Sequence, residues 1–233
     1  MLLPALLIFD MDGLMFDTER ISKPCWIETA KKFGYDLPDD VFDAIFGRNE
    51  RQIEAYMKER FGPQFPFTAI YQKKLERMYH IYETDGVPME PGLVELLSYA
   101  RRKGIPCVVA SSTILRVVQT LVNRAGIGTY FQRLFSGHDL PKSKPDPEIF
   151  LKVCQEMGVK PERALVFEDS GNGLLAAKNG NIPAIWVPDL VEVPQDIAAT
   201  AWHRCQTLAD AIPLLDGLCR EGRKTWLRYI EKE

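Results

Sequence analysis

The chain has 233 residues, of which 46% are hydrophobic and 26% are charged, and its net charge at pH 7 is −3. This length predicts one large domain, or a domain that carries a sizeable insertion, with enough apolar residues for a globular core. A weakly acidic chain lacks the positive surface that binds nucleic acid or anionic membranes. We therefore expect neither nucleic acid nor a membrane among its partners.

The cysteines and the N-terminal residues bear on the cellular compartment of the protein. Five scattered cysteines, with no C-x-x-C pair, argue against a disulfide framework or a thiolate metal site. The N-terminal apolar run lacks a preceding basic region and stops at Asp10, so it does not resemble a signal peptide. No apolar stretch reaches the roughly 20 residues that a membrane span needs. We expect a cytoplasmic protein, and a monomer.

The first strand and the loop after it are the centre of the sequence. The run from Leu6 to Phe9 is apolar, which is typical of a buried parallel strand, and Asp10, Asp12 and Gly13 follow at once. Two carboxylates separated by one residue of extended chain point the same way, so both can address one small site. Capping of a turn is the structural alternative for a single aspartate.

Helical patterns follow the loop and contain no clear strand. They cover about Thr18–Phe33, a short helix from Pro38 to about Phe46, Gln52–Arg60 and Thr68–Tyr82. We therefore predict an all-α insertion over residues 18–85. Residues 87–91 then connect it back to the rest of the chain.

Helix and strand patterns alternate after this connection. The predicted elements are helix Leu93–Lys103, strand Pro106–Ala110, helix Leu115–Ala125, a short strand at Leu134 and Phe135, a helix ending at Met157, strand Ala164–Phe167, helix Leu174–Asn179, strand Ile182–Val187, and helices Thr207–Leu215 and Leu218–Glu231. Such alternation is typical of an α/β fold with a doubly wound parallel sheet. The predicted core therefore comprises residues 1–17 and 86–233.

Polar groups stand where the predicted strands end. They are Asp10 and Asp12, Ser111 and Ser112, Glu168 and Asp169, and, in a loop that leads into a helix, Lys144. Parallel strands bring their carboxyl ends to one edge of a sheet, so we expect these groups to converge. Carboxylate oxygens suit Mg²⁺ better than zinc or copper, and a hydroxyl with a lysine suits a phosphate. Each residue taken alone has a plainer interpretation as a helix cap or a solvated lysine.

The four motifs together resemble the haloacid dehalogenase superfamily, in its phosphatase and β-phosphoglucomutase branch. The D-x-D-G-x-x-x-D-T motif is matched from Asp10 to Thr18, the motif serine by Ser111, K-P-x-P-x-x-F from Lys144 to Phe150, and E-D-S-x-x-G from Glu168 to Gly173. The matches keep the family's order over about residues 6–190. The resemblance implies a Rossmann-like core with the insertion as its cap.

The resemblance also implies a role for each motif residue. Asp10 would attack phosphorus and form an aspartyl-phosphate, and Asp12 would act as general acid and then general base. Mg²⁺ would be held by Asp10, by the backbone carbonyl of Asp12 and by Asp169, with Glu168 in or near that shell. The phosphoryl oxygens would be bound by Ser111, Ser112 and Lys144.

The resemblance leaves three activities to compare. Dehalogenases lack the second aspartate, so Asp12 argues against that chemistry. Mutases resemble D-T-x-x-x-H-x-x-A-W, and here Ser22 stands at the histidine position. We therefore favour a Mg²⁺-dependent phosphatase of a small phosphorylated metabolite such as a sugar phosphate. A β-phosphoglucomutase-like mutase is the alternative. A non-catalytic relative that binds a phosphorylated ligand is a further possibility outside these three activities, and the full set of motif residues argues against it.

Substrate specificity is expected to lie in the helical insertion. The residues at a polar helix junction, Arg48, Glu50 and Arg51, resemble the loop through which related caps reach the active site. Ser22, at the histidine position of the mutase pattern, is a further candidate for specificity. A surface helix start is an equally good interpretation of that junction. Arg48 or Arg51 could bind a second anionic group or sugar hydroxyls. Lys73 and Lys74 are similar candidates, although a solvated position is the favoured interpretation of both.

Overall fold

A computed structural model describes residues 3–46, 48 and 50–221. Within these residues, six strands form one sheet in the order β3-β2-β1-β4-β5-β6, and every neighbouring pair is parallel. The strands are β1 Leu6–Phe9, β2 Cys107–Ser111, β3 Phe131–Ser136, β4 Ala164–Glu168, β5 Ala184–Trp186 and β6 His203–Arg204. This order is that of a doubly wound sheet, and it confirms the predicted fold class.

The helices lie between the strands in chain order. They are α1 Thr18–Lys32, α2 Asp39–Ile45, α3 Glu50–Phe61, α4 Phe67–Thr84, α5 Leu93–Lys103, α6 Leu115–Arg124, α7 Glu148–Met157, α8 Gly171–Asn179, α9 Gln195–Ala198 and α10 Ala211–Glu221. Three short 3₁₀ helices cover Gly128–Tyr130, Pro161–Arg163 and Leu208–Asp210. The first four helices follow β1 in the chain and precede α5 and the remaining strands.

Helices cover both faces of the sheet. Successive residues of a strand point to opposite sides, so each strand contributes side chains to both faces. Leu7 and Phe9 belong to one hydrophobic cluster, which α5, α6 and α10 complete. Leu6 and Ile8 belong to a second cluster on the other face, which α7 and α8 complete. This arrangement explains why the central strands β1, β2 and β4 are buried along their whole length and show no alternation of apolar and polar residues.

The helical insertion has a hydrophobic cluster of its own, built around Trp26, Phe42 and Phe67. The two segments that join it to the sheet run side by side, since the backbone N–H of Asp17 donates to the carbonyl of Pro88 at 3.0 Å. The insertion also touches the sheet layer, because Tyr82 of α4 packs into the first sheet cluster. It therefore has an apolar cluster of its own and also packs against the first sheet cluster.

The structure corrects the predicted elements after residue 180. Strand β5 is shorter than predicted, because the N–H of Ile182 bonds to Ala177 and thereby closes α8 instead of joining the sheet. The predicted helix Thr207–Leu215 is a capped 3₁₀ turn at Leu208–Asp210 followed by α10. Strand β6 and α9 were not predicted, and both are very short.

The predicted C-terminal helix Leu218–Glu231 is described only at its beginning. Leu218 lies in α10 and is buried against the sheet. Residues 222–233, with the rest of that prediction, lie outside the described residues. Among the described residues, Cys25, Cys107, Cys154 and Cys205 are free and buried. No helix in the described part of the chain is long and apolar enough to cross a bilayer.

Phe9 provides a test of the predicted core. Its ring stacks on Phe167 of the neighbouring strand with centroids 4.9 Å apart, and the residue is fully buried. Phe9→Ala should therefore lower the free energy of unfolding by about 3–5 kcal/mol, since it removes a buried ring and leaves a cavity. Phe33→Ala, at a residue 40% exposed, should change it by no more than about 0.5 kcal/mol. Urea unfolding of both variants measures the difference, and equal effects would contradict the described packing.

Candidate active site

The site lies where the strand order places the ends of β1, β2 and β4 together. Strand β1 is central, and Phe9 is level with Val109 of β2 and with Phe167 of β4. Asp10 follows β1, whereas Ser111 and Glu168 end their strands. Ligands of open α/β sheets bind at this position, beyond the carboxyl ends of the strands where the chain order reverses.

Lys144 connects two of these strand ends. Its ammonium group donates to Oδ1 of Asp10 and to Oε1 of Glu168, and all three side chains are buried. Burial lowers the pKa of Lys144, but the two carboxylates outweigh burial and leave the pKa above its usual value. Lys144 therefore carries its charge at neutral pH. The ammonium also lies 4.9 Å from the centre of the Phe150 ring.

Glu168 is held by the start of α8 as well as by Lys144. The backbone N–H and the hydroxyl of Ser170 donate to its Oε2 atom at 3.1 and 3.0 Å. The same hydroxyl accepts from the N–H of Gly173 at 3.1 Å and caps the helix. A Cβ atom at Gly173 would lie 1.8 Å from the Glu168 carboxyl carbon, so only glycine leaves room for this carboxylate.

Asp10, Glu168 and Asp169 form an acidic cluster whose ligand oxygens lie within 4.8 Å of one another. The carbonyl of Asp169 accepts from the indole N–H of Trp186 at 3.0 Å, which fixes the turn after β4. Desolvation raises the pKa of Asp10 to about 7 against the opposing charge of Lys144. It also raises the pKa of Asp169, and neighbouring carboxylates add to this rise. The single ammonium of Lys144 therefore does not balance the negative charge of the three carboxylates.

Asp12 lies on the other side of the site and contacts the end of β2. Its Oδ2 atom accepts hydrogen bonds from the hydroxyls of Ser111 at 3.2 Å and Thr113 at 2.8 Å. The Ser111 hydroxyl in turn accepts from the N–H of Thr113 at 2.9 Å. The sequence analysis did not name Thr113 as a site residue, although its hydroxyl lies two residues after Ser111, at the spacing that lets both side chains point the same way.

The structure brings some of the other predicted residues to the site and leaves others away from it. Arg48 lines a cavity of about 180 Å³ together with Asp169 and Glu19. The exposed Glu50 and Arg51 are not among the described residues that line this cavity, and neither is the buried Ser22. Ser112 lies at the end of β2 but is exposed to solvent.

Comparison with known proteins defines the class of the chain. The family described as haloacid dehalogenase-like hydrolase matches residues 7–187, which include all four motifs. The chain therefore belongs to the haloacid dehalogenase-like hydrolase family. It is an enzyme of the phosphoric monoester hydrolase class, in the phosphatase-like branch that the motifs resemble.

Three similar proteins illustrate this relationship. A phosphorylated carbohydrates phosphatase of Thermotoga maritima is 30% identical over 77% of this chain and 82% of its own length. The structure of a CbbY variant from Rhodobacter sphaeroides in complex with xylulose-(1,5)bisphosphate is 25% identical with a TM-score of 0.77, covering 90% of this chain and 96% of that one. The structure of a β-phosphoglucomutase candidate from Thermotoga maritima is 26% identical with a TM-score of 0.73, covering 91% and 99%.

The contact between Gly173 and Glu168 is testable with a matched pair of variants. Gly173→Ala should destabilise the protein by about 1–3 kcal/mol, because the added methyl group displaces the Glu168 carboxylate. Gly217→Ala should instead stabilise α10 by about 0.5–1 kcal/mol. Apart from the chain neighbours and the helix's own backbone, no atom of the described residues lies within 4 Å of the added methyl group. Chemical denaturation measures both values. A harmless Gly173→Ala would show that this carboxylate is not held as described.

Proposed function

We propose that the protein is a Mg²⁺-dependent phosphatase that hydrolyses a small phosphorylated metabolite, such as a sugar phosphate, through an aspartyl-phosphate intermediate. The observation that carries the proposal is the buried arrangement of Asp10, Lys144 and Glu168, with Asp169 completing an acidic cluster at the edge of the sheet. It supports the proposal because a carboxylate that can attack phosphorus, a cation that can bind phosphoryl oxygens and oxygens that can bind a metal lie within one small volume.

Asp10 is the proposed nucleophile. The contact with Lys144 favours the ionised carboxylate that an attack on phosphorus requires. A bond forms between a carboxylate oxygen of Asp10 and phosphorus, while the bond from phosphorus to the ester oxygen breaks. Lys144, Ser111 and Ser112 are the proposed ligands of the phosphoryl oxygens, where positive charge and hydrogen-bond donors stabilise the charge that shifts during transfer.

Asp12 is the proposed general acid and base. It protonates the leaving ester oxygen. It later takes a proton from the water that attacks the phosphorus of the aspartyl-phosphate, while the bond between phosphorus and the Asp10 oxygen breaks and inorganic phosphate is released. The hydroxyls of Ser111 and Thr113 orient its carboxyl group toward the end of β2. Because Asp12 does not share the ammonium of Lys144 with Asp10, the two aspartates have different surroundings and can have different roles.

The donor set fits a magnesium ion. Asp10, Glu168 and Asp169 offer carboxylate oxygens, which hard cations prefer, and the cluster holds more negative charge than Lys144 balances. Asp10, Asp169 and the backbone carbonyl of Asp12 would hold the ion, with Glu168 in or near its shell. A bound Mg²⁺ would neutralise charge on the phosphoryl group and help to align it with Asp10.

Residues 18–85 are the proposed cap over a core of residues 1–17 and 86–233. The insertion has its own apolar cluster and is joined to the sheet by two adjacent segments, as expected of a unit that can move as one piece. A cap that closes over the site excludes bulk water from Asp10 and Lys144. Arg48, in the cavity that includes Asp169, is the junction residue placed best to contact substrate.

The names of similar proteins support a carbohydrate phosphate as the substrate class. The Thermotoga maritima relative is named as a phosphatase of phosphorylated carbohydrates, and the CbbY variant binds xylulose-(1,5)bisphosphate. The β-phosphoglucomutase candidate keeps a mutase as the second possibility. Ser22 favours hydrolysis, because a serine provides no imidazole at the position where the mutase pattern has histidine.

Replacement of the nucleophile tests the proposed chemistry. Asp10→Asn should lower Mg²⁺-dependent turnover of 4-nitrophenyl phosphate by at least about 10³-fold, because the amide cannot form the covalent intermediate. The exposed Asp36→Asn makes the same chemical change away from the site and should leave turnover unchanged. Steady-state kinetics measure both variants. Normal turnover by the Asp10 variant would rule out this residue as the nucleophile.

Removal of the metal tests the acidic cluster. Dialysis against EDTA should abolish turnover, and added Mg²⁺ should restore it. Asp169→Asn should raise the Mg²⁺ concentration for half-maximal rate by at least about 10-fold, since a neutral amide replaces a charged ligand. A titration of the rate against Mg²⁺ measures this shift, with Asp36→Asn as the control. Full activity after EDTA treatment would refute the metal requirement.

A further inference from the structure

We infer that the β5–α9 loop, residues 187–194, binds the far end of the leaving group and favours phosphate esters in which this end is uncharged and apolar. The inference rests on the proposed phosphatase function, and it specifies which residues outside the four motifs and outside the insertion recognise the rest of the substrate. A deoxysugar and a simple alkyl alcohol both have this chemistry.

The β5–α9 loop begins beside the acidic cluster. The backbone N–H of Val187 donates to the carbonyl of Glu168 at 2.8 Å, which fixes the first residue of the loop against the end of β4. A Cβ atom at Gly13 would lie 2.6 Å from Oδ2 of Asp169 and 3.0 Å from Oδ2 of Asp189. The two carboxylates therefore lie close together on either side of Gly13, and the loop leads away from the proposed metal ligands.

The loop then forms an apolar wall of the cavity that contains Asp169. Leu190 and Val191 line this cavity from the loop, and Phe46 lines it from the end of α2. The cavity has a volume of about 180 Å³. An apolar cavity of about 150 Å³ is large enough for a benzene ring, so a leaving group with a short alkyl chain or a small ring fits beside the phosphate site.

Leu190 and Val191 do not contribute to the packing of the fold. In the part of the chain that the structure describes, neither residue belongs to the three hydrophobic clusters or to the side chains packed against them. Val193, in contrast, packs against the second sheet cluster and lies 3.4 Å from a Cβ atom built at Gly171. Ligand pockets are lined mostly by apolar side chains. Two apolar residues that line this cavity without a packing role therefore indicate a ligand with an apolar surface.

The charged residues beside this wall determine which charge the ligand can carry. Asp189 and Glu192 flank Leu190 and Val191 in the chain, and both acidic residues line the cavity. Arg48 is the only basic residue among the described residues that line it. A second phosphate on the wall would meet like charge, which is costly, whereas a neutral group would not. The cavity therefore favours a neutral apolar end over a bisphosphate.

The test compares two esters that differ only at the far end of the leaving group. Ethyl phosphate and butyl phosphate release alcohols of similar acidity, so the chemical step is matched. Each methylene group that the wall covers contributes about 4-fold to kcat/KM. The kcat/KM of butyl phosphate should therefore exceed that of ethyl phosphate by at least about 10-fold.

Variants of the wall assign this preference to the loop. Leu190→Ser and Val191→Thr should each lower the butyl-to-ethyl ratio by at least about 3-fold, because a hydroxyl replaces part of the apolar surface. Leu151→Ser, at a leucine of α7 with similar exposure (38% against 46% for Leu190), makes the same change away from the cavity and should leave the ratio unchanged. Thermal unfolding verifies that all three variants are folded.

A second pair of esters tests whether the apolar end belongs to a sugar. Glucose 1-phosphate and 6-deoxyglucose 1-phosphate differ by one hydroxyl group at the far end, and the deoxysugar should have a kcat/KM at least about 3-fold higher. A preference in this pair assigns a deoxysugar to the wall. A preference confined to the alkyl pair assigns an alkyl alcohol.

Three results would overturn the inference. The first is the absence of a preference in both pairs of esters. The second is an equal loss on ethyl and butyl phosphate in Leu190→Ser and Val191→Thr, because a contact that only closes the insertion over the site serves every ester alike. The third is faster hydrolysis of glucose 1,6-bisphosphate than of glucose 1-phosphate. Failure to hydrolyse any ester, including 4-nitrophenyl phosphate, would instead refute the proposed phosphatase.

Discussion

The structure depends on one buried ammonium shared by two carboxylates from different strands. Lys144 binds Asp10 after β1 and Glu168 at the end of β4. Removal of one member of such a group leaves an uncompensated buried charge, at a cost of about 3–5 kcal/mol. The cap of α8 and Gly173 also lie around this contact. The fold therefore depends on these charges staying together at the sheet edge.

The rest of the architecture determines what those charges can do. Parallel strands present three ends at one edge, and the reversal of strand order between β1 and β4 opens a crevice there. The helical insertion adds polar groups from the opposite side, of which Glu19 and Arg48 share a cavity with Asp169. In the proposed mechanism, the sheet edge supplies the phosphoryl chemistry and the insertion supplies selection among phosphate esters.

The sequence predicted the sheet and its strand-end groups well, because these features have local signals. An apolar run followed at once by Asp10 or Glu168 identifies both a buried strand and a polar group at its end. The short β6 and α9 have too few residues for a periodic pattern, and the boundary of β5 depends on a hydrogen bond from Ile182 to α8. The burial of Lys74 depends on packing against Trp26, 48 positions away in sequence, so no local pattern could reveal it.

In the proposed mechanism, Asp10 accepts the phosphoryl group beside a divalent ion. The most direct measurement is a crystal structure of the protein with Mg²⁺ and beryllium trifluoride, which imitates a phosphoryl group on a carboxylate. The expected result is a tetrahedral beryllium group on the carboxylate of Asp10, within reach of Lys144, with Mg²⁺ bound by Asp10 and Asp169. A metal bound elsewhere, or a beryllium group on any other residue, would contradict it.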